Sequence, residues 1–163
     1  MIYNNWFSER EMIKKGLVQN AIQRLNNNNL TYTKDGALWA KTKNFGDDKD
    51  RVIIREDGRS TYFASDIAYH FDKRSRGFDL LLDVLGSDHH GYLARLGAGL
   101  AAMDEPQESL EISLVQFVSL FKGNKKVQMS TRSGEFITLR ELCEEVGKDA
   151  ARFFYISRSK QQQ

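Results

Sequence analysis

The sequence has little cysteine and no long apolar run. Cys143 is the one cysteine among 163 residues, so a disulfide framework within the chain is excluded and a reducing compartment is expected. No apolar stretch approaches the roughly 20 residues that cross a bilayer, and the first ten residues, MIYNNWFSER, lack the apolar core of a signal peptide. These absences predict a soluble, cytoplasmic protein with no membrane partner.

The sequence also lacks an excess of either charge. It contains 24 basic and 22 acidic residues, for a net charge of +2. That balance argues against a histone-like mode of binding DNA, and it still permits a local basic path for phosphates. Hydrophobic residues make up 40% of the chain, which is enough for the core of one ordinary globular domain.

The first part of the chain, residues 1–59, has the pattern of a small and partly polar subdomain. Ser8 and Glu11 form a capping-box pattern, and apolar residues at helical spacing then predict a helix over residues 9–25. Short strands are predicted around residues 38–41 and 52–55, next to the turn signals DG at 35–36 and 57–58.

From residue 60 onward, predicted helices and strands alternate. The segments are a helix in SDIAYHFDKRSRG, a strand in DLLLDVLG, a helix in HHGYLARLGAGLAAM, a strand in LEISLVQFVSLF, a turn at Gly123-Asn124, and helices after the capping box Thr138/Glu141 and the stop signal Gly147. Such alternation is typical of crossover units, so we expect an α/β fold with a largely parallel sheet.

The stretch VLGSDHHGY lies where α/β proteins bind ligands, beyond the carboxyl end of a strand. Gly86 permits a tight turn there, and Asp88 can accept hydrogen bonds from a ribose diol. Alternatively, Gly86 only ends the strand and Asp88 is a helix N-cap. A metal site at Asp88, His89 and His90 is a weaker hypothesis, because neighbouring side chains diverge. The same divergence argues against a metal site at Asp47, Asp48 and Asp50, which we interpret as a solvated turn.

The stretch KVQMSTRSGEF, residues 126–136, predicts a mobile cationic loop after a hairpin. Met129 can lie against an adenine face, Ser130 and Thr131 can donate hydroxyl hydrogen bonds, and Arg132 can meet phosphate charge together with Lys125 or Lys126. A loop that closes over a triphosphate has this composition, although a solvated hairpin tip has it as well.

Several stretches together resemble one family. DGALW, FGDDKDRV, TYFASDIAYHFDK, GSDHHGY and QMSTRSGEFITLREL, in this order and spacing, closely resemble arginyl-tRNA synthetase, a class I aminoacyl-tRNA synthetase. The resemblance implies that Tyr62 and Asp66 hold the substrate arginine, which is chemically sound because a guanidinium needs a carboxylate acceptor. Without it, Tyr62 would be interpreted as a strand aromatic and Asp66 as the N-cap of the following helix.

The resemblance also implies an ATP site. It assigns Gly86 and Asp88 to the ATP ribose, with His89 next to the amino acid, and Val127, Gln128 and Met129 to ATP contacts. The residues implied for catalysis follow in the loop: Met129, Ser130, Thr131 and Arg132. The family signature is Lys-Met-Ser-Lys-Ser, and Gln128 and Thr131 replace its two lysines here.

The resemblance implies the fold and function as well. Residues 1–59 correspond to part of the connecting insertion, and residues 60–163 correspond to the C-terminal half of the Rossmann-like nucleotide-binding domain. The His-x-Gly-His signature of the first half is absent from the sequence. The implied reaction joins L-arginine to tRNA(Arg) with ATP and its Mg²⁺, without a protein-bound structural metal, and the chain alone is expected to be inactive. Rival hypotheses are a nonenzymatic nucleotide-binding α/β module and another class I synthetase or nucleotidyltransferase.

Overall fold

A computed structural model describes residues 2–116, 118–127 and 137–157. In chain order, the helices and strands are α1 (Glu9–Lys14), α2 (Leu17–Asn27), β1 (Thr31–Lys34), β2 (Ala37–Ala40), β3 (Arg51–Ile54), α3 (Tyr62–Ser75), β4 (Leu81–Gly86), α4 (Tyr92–Ala101), β5 (Leu110–Val115), β6 (Phe121–Lys122), β7 (Lys125–Lys126), α5 (Leu139–Val146) and α6 (Lys148–Ser157). The chain has two compact units: one contains residues 1–84 and 88–113, and the other contains residues 85–87 and 114–163.

The predicted helix over residues 9–25 is two helices. Ser8 caps α1 by accepting a hydrogen bond from the backbone N–H of Glu11 at 3.3 Å. Gly16 then stands between α1 and α2 with φ +70°, a left-handed conformation that glycine adopts without a steric penalty. The prediction of one continuous helix is therefore wrong, because the apolar spacing continues through a residue at which the backbone turns.

The first sheet is antiparallel and has the order β1, β2, β3. Strands β2 and β3 confirm the strands predicted at 38–41 and 52–55, shifted by one residue, whereas β1 was not predicted. The turn from β1 to β2 uses Asp35 and Gly36, with φ +51° and +73°, as a tight hairpin requires. Strands β4 and β5 pair as the parallel unit that the alternation predicted, with α4 between them in the chain.

Helix α3 begins at Tyr62, with Thr61 as its N-cap. The Thr61 hydroxyl accepts a hydrogen bond from the backbone N–H of Ala64 at 3.3 Å and donates one to the carbonyl of Val52 at 2.8 Å. The same side chain therefore starts the helix and ties it to β3. The alternative interpretation of Tyr62 as a strand residue and Asp66 as an N-cap is wrong, because Asp66 lies in the second turn of α3.

The core forms where α3 packs against α2, β3 and α4. Its largest fully buried side chains include Leu25, Ile53, Ile67, Leu96, Leu100 and Met103. Helices α3 and α4 pack tightly at Gly99, where an added Cβ would overlap Cγ2 of Ile67 and lie 3.3 Å from Cζ of Phe63. This packing admits no side chain at position 99.

The side chains of β4 alternate between the core and water. Leu81 is buried and Asp83 is partly buried on one face, whereas Leu82 and Val84 on the other face are 59% and 65% exposed. On the inner face, Asp83 contacts two α3 side chains, with His70 Nε2 at 2.6 Å and Lys73 Nζ at 2.8 Å. Burial opposes the ionisation of Asp83, but the hydrogen bonds from His70 and Lys73 outweigh it and lower its pKa to about 2.

The second compact unit contains short elements. Strands β6 and β7 form a hairpin with Gly123 at φ +60°, as predicted, whereas the strand predicted over LEISLVQFVSLF is shorter because β5 ends at Val115. Thr138 and Glu141 form the predicted capping box of α5, and Gly147, at φ +85°, ends that helix. Within the described ranges, no helix is long and apolar enough to cross a membrane.

We expect Gly99→Ala to destabilise the chain by about 1 to 3 kcal/mol, because the new methyl group would overpack the contact between α3 and α4. Gly97→Ala is the matched control in the same helix, since its Cβ would approach nothing closer than Gln107 Cγ at 4.0 Å. That variant should gain about 0.5 to 1 kcal/mol from helix propensity. Urea unfolding followed by circular dichroism measures both, and equal effects of the two variants would contradict the close packing.

The Asp83 carboxylate should stabilise the fold in a pH-dependent way. Its pKa is lowered from the ordinary 3.8 of an aspartate to about 2, so its contribution is complete above pH 4 and is lost as the pH falls toward 2. We expect the free-energy difference between the unmodified chain and Asp83→Asn to shrink by about 1 to 2 kcal/mol between pH 5 and pH 2.5. Urea unfolding at each pH measures it. A difference that stays constant would assign the stabilisation to something other than this carboxylate.

Candidate functional site

The Asp66 carboxylate is held by a residue of the next helix. The phenol of Tyr92, the first residue of α4, donates a hydrogen bond to Asp66 Oδ2. The two residues are 26 positions apart in the sequence, and they meet because α3 and α4 pack against each other. Asp66 is partly exposed, so its carboxylate retains lone pairs for a ligand.

Tyr92 is a neutral donor in a polar environment. Burial and the hydrogen bond to Asp66 raise its pKa well above the usual range, and the neighbouring Arg95 only partly opposes this rise. The Arg95 guanidinium carbon lies 4.9 Å from the centre of the Tyr92 ring. Arg95 Nε is buried and has no hydrogen-bond partner in the described part of the chain. Because Tyr92 keeps its proton at neutral pH, it fixes Asp66 without adding a negative charge.

His89 and Asp88 extend the cluster from the end of β4. They lie in a short 3-10 turn, Ser87–His89, that follows Gly86 directly. His89 contacts Tyr92 edge to face, with ring centres 6.1 Å apart, and its Nε2 lies 3.7 Å from Asp88 Oδ2. Both side chains are about half exposed. A line of contacts therefore connects Asp66 to Asp88 through Tyr92 and His89.

Asp88 is not the N-cap of the following helix. Helix α4 begins at Tyr92, and Gly91 occupies the N-cap position without a side-chain hydrogen bond. The alternative interpretation of Asp88 as a cap is therefore wrong, because the 3-10 turn separates it from the helix. Its half-exposed carboxylate is available to a ligand.

Tyr62 lies one helical turn before Asp66 and is 78% exposed. It borders a pocket of about 250 Å³ that is lined by Glu9, Ile13, Arg55, Arg59, Ser60, Thr61 and Ser65. The spacing of four residues along α3 places Tyr62 and Asp66 on the same side of the helix.

The acidic cluster at 47, 48 and 50 is an ion-paired structural feature. Asp47 is buried and accepts two hydrogen bonds from Arg51, at 2.8 and 2.6 Å, which hold the Asp47 pKa far below its usual range. Asp50 accepts a hydrogen bond from the Tyr32 hydroxyl at 3.0 Å. The prediction of a solvated turn is wrong for Asp47, because the side chain of Arg51 returns from β3 to cover it. Among the described residues, no three histidine, cysteine or acidic side chains converge on one point.

The predicted catalytic loop falls almost entirely outside the described residues. Val127 is described, and its backbone N–H donates to the carbonyl of Leu120 at 2.9 Å. Five predicted site residues lie outside the described ranges: Gln128, Met129, Ser130, Thr131 and Arg132. Their roles stay predictions.

Sequence reasoning missed Tyr92 and the pair His70 and Asp83. Tyr92 belongs to the quoted stretch GSDHHGY, but nothing in its spacing indicates a contact with a residue 26 positions earlier. His70 is 4% exposed, and Asp83 interrupts the apolar run LLDVLG. A charged residue in a buried strand is a signal that it has a partner.

Comparisons with known proteins point to one family. The family model described as "tRNA synthetases class I (R), catalytic domain" matches residues 5–161. The chain is 58% identical over 156 residues to the arginine–tRNA ligase of Thioalkalivibrio sulfidiphilus, and 55% identical over 160 residues to that of Hydrogenovibrio crunogenus. These alignments cover 96% and 98% of this chain but 27% of each relative, so the chain spans about a quarter of their length.

Solved structures show the same resemblance. A Campylobacter jejuni protein assigned as an arginyl-tRNA synthetase superimposes with a TM-score of 0.89 at 36% identity, over 99% of this chain and 35% of that one. The Thermus thermophilus arginyl-tRNA synthetase superimposes with a TM-score of 0.68 at 19% identity, over 93% of this chain and 31% of that one. The second similarity concerns the fold alone.

Proposed function

The chain belongs to the class I arginyl-tRNA synthetase family, and on that premise we propose that it forms the part of an arginine–tRNA ligase that binds L-arginine and the ribose of ATP. The substrates of the complete reaction are L-arginine, ATP and tRNA(Arg), and the place of action is the cytoplasm. Residues 1–59 are assigned to the connecting insertion and residues 60–163 to the second half of the nucleotide-binding domain.

The observation that carries this proposal is the line of contacts from Asp66 to Asp88. Residues that the family resemblance assigns to two different substrates are connected by Tyr92, which bonds to Asp66, and by His89, which adjoins both Tyr92 and Asp88. An enzyme that joins an amino acid to a nucleotide needs its two binding groups close together.

Arginine is held by charge and by geometry. The Asp66 carboxylate accepts hydrogen bonds from the guanidinium, and Tyr92 fixes the orientation of that carboxylate. Tyr62, one turn away on α3, offers a ring face and a hydroxyl to the same side chain. His89, which contacts Tyr92 and lies beside Asp88, is assigned to a contact with the amino acid.

ATP is held at the end of β4 and by the signature loop. Gly86 lets the chain turn close to the ribose, and Asp88 accepts hydrogen bonds from the ribose hydroxyls. Contacts from the loop are assigned to Val127, Gln128 and Met129, and stabilisation of the leaving phosphates is assigned to Met129, Ser130, Thr131 and Arg132. Mg²⁺ would enter with ATP and offset part of the negative charge of its phosphates.

The reaction has two displacements. A carboxylate oxygen of arginine attacks the α-phosphorus of ATP, the bond from that phosphorus to the bridging oxygen breaks, and pyrophosphate leaves. A terminal ribose hydroxyl of tRNA(Arg) then attacks the carbonyl of the arginyl-adenylate, loses its proton and releases AMP. Positioning and charge stabilisation account for most of such catalysis, so the site needs no dedicated pair of acid and base.

We expect Asp66→Asn and Asp88→Ala to affect different substrates. In a full-length arginine–tRNA ligase carrying this chain, Asp66→Asn removes a charge-assisted pair and should weaken arginine binding by about 2 to 4 kcal/mol. This loss corresponds to a KM for arginine that is higher by on the order of 30- to 1000-fold. Asp88→Ala should raise the KM for ATP and leave the KM for arginine near its original value. Pyrophosphate exchange in the presence of tRNA measures both constants.

Asp79→Asn is the matched control for this experiment, because Asp79 is an exposed aspartate in the loop after α3. It should leave both KM values within about twofold. An unchanged arginine KM in Asp66→Asn would remove Asp66 from the arginine site. Unfolding of Asp88→Ala with normal ATP affinity in the folded fraction would make Asp88 a structural residue.

We expect the 163-residue chain by itself to catalyse no measurable arginine-dependent pyrophosphate exchange. One half of a nucleotide-binding cleft supplies one wall of the phosphate site, so the positioning and electrostatic effects of the other wall are missing. The assay uses purified chain with tRNA, and the Asp66→Asn chain reports any exchange from contaminating host synthetase. Robust exchange that Asp66→Asn abolishes would show that these residues suffice for catalysis.

A further inference from the structure

A buried polar cluster lies beneath the proposed arginine site and takes no part in the proposed reaction. It consists of His70 and Lys73 on α3 and Asp83 on β4, with side chains that are 5%, 16% and 13% exposed. Burying charged groups costs free energy unless they are paired. The three groups are paired with one another, so their positions relative to each other are closely defined.

The imidazole of His70 connects two elements. Its Nδ1 lies 2.7 Å from the backbone carbonyl oxygen of Asp66, and its Nε2 lies 2.6 Å from Asp83 Oδ2. The other carboxylate oxygen of Asp83 accepts a hydrogen bond from Lys73 Nζ at 2.8 Å. The ring therefore ties the turn of α3 that carries Asp66 to the strand that ends at Gly86.

Asp66 is fixed from both ends by these contacts. Tyr92 holds its side chain, and His70 holds its backbone carbonyl. Asp83 lies five residues before Asp88, on the strand that leads to the ribose-binding turn. Movement of α3 along β4 would therefore break the contact between His70 and Asp83 and displace Asp66 from its place beside Tyr92.

We propose that His70, anchored by Asp83, is a positioning residue for arginine binding, which holds Asp66 at a fixed place relative to β4. This inference rests on the proposed role of Asp66 as the ligand of the guanidinium. His70 does not touch the substrate. It acts through the backbone of Asp66, and a charge-assisted contact with a planar guanidinium depends on the exact position of the carboxylate.

The test separates positioning from general stability by comparing two anchors of the same helix. In the full-length enzyme, His70→Phe fills a similar volume and removes both hydrogen bonds, and it should raise the KM for arginine about tenfold while the KM for ATP stays within twofold. Glu105→Gln is the matched control. It weakens the mostly buried pair between Arg74 and Glu105, whose Nε and Oε2 atoms are 3.1 Å apart and which anchors α3 one turn farther from Asp66. It should lower the melting temperature and leave the KM for arginine within twofold.

If a variant is only partly folded, its apparent kcat falls and its KM does not change. A rise in the KM for arginine therefore distinguishes a positioning role from a purely structural one. Asp83→Asn provides a milder second variant, which keeps the shape of the side chain and should raise the same KM at least threefold. If His70→Phe does not fold, Asp83→Asn decides the question.

Two results would overturn the inference. One is a folded His70→Phe or Asp83→Asn enzyme with an unchanged KM for arginine, and the other is an equal rise of that KM in Glu105→Gln. Failure of the proposed function has a different signature, because Asp66→Asn itself would then leave the KM for arginine unchanged.

Discussion

The packing of α3 against α4 brings together Asp66 and Tyr92, and the arrangement of the proposed site depends on that pair. The two helices pack tightly at Gly99, where Ile67 of α3 fills the space that a Cβ would occupy. At the start of α4, the Tyr92 hydroxyl bonds to Asp66 on α3. A wider spacing would leave a partly buried carboxylate without its donor, which is costly in a protein interior. The packing of apolar groups thus sets the geometry of the polar ones.

Two mostly buried carboxylates that contact α3 are paired with basic side chains of that helix. Asp83 is paired with His70 and Lys73, and Glu105 is paired with Arg74. Asp66 differs because the hydrogen bond to its carboxylate comes from the neutral Tyr92. A carboxylate that is held in place by hydrogen bonding but retains its charge is well suited to attract a cationic substrate.

Much of the local structure could be predicted from the sequence, because its signals are local. The capping box at Thr138 and Glu141 and the strands β2, β3 and β4 follow from residues within a few positions of each other. The break at Gly16 escaped prediction because apolar spacing continues across it, and glycine at that position is compatible with a helix as well as with a turn. Strand β1 was missed because TYTK is short and polar on one face.

The candidate site was harder to predict than the fold. Asp66, Asp88 and His89 were predicted as site residues from their motifs and the family resemblance, but the contact that brings Asp66 to the others comes from Tyr92, 26 positions later in the chain. The pairing of His70 with Asp83 likewise depends on how α3 lies on β4. Such contacts are consequences of tertiary packing, which periodicity and motif spacing do not contain.

The outer face of β4 exposes apolar side chains to water. Leu82 and Val84 present two branched aliphatic side chains to water at a spacing of two residues. Covering them with another protein surface would gain about 25 cal/mol for each Å² removed from water. Because this gain is mainly entropic near room temperature and weakens on cooling, an association made through this face would be weaker in the cold.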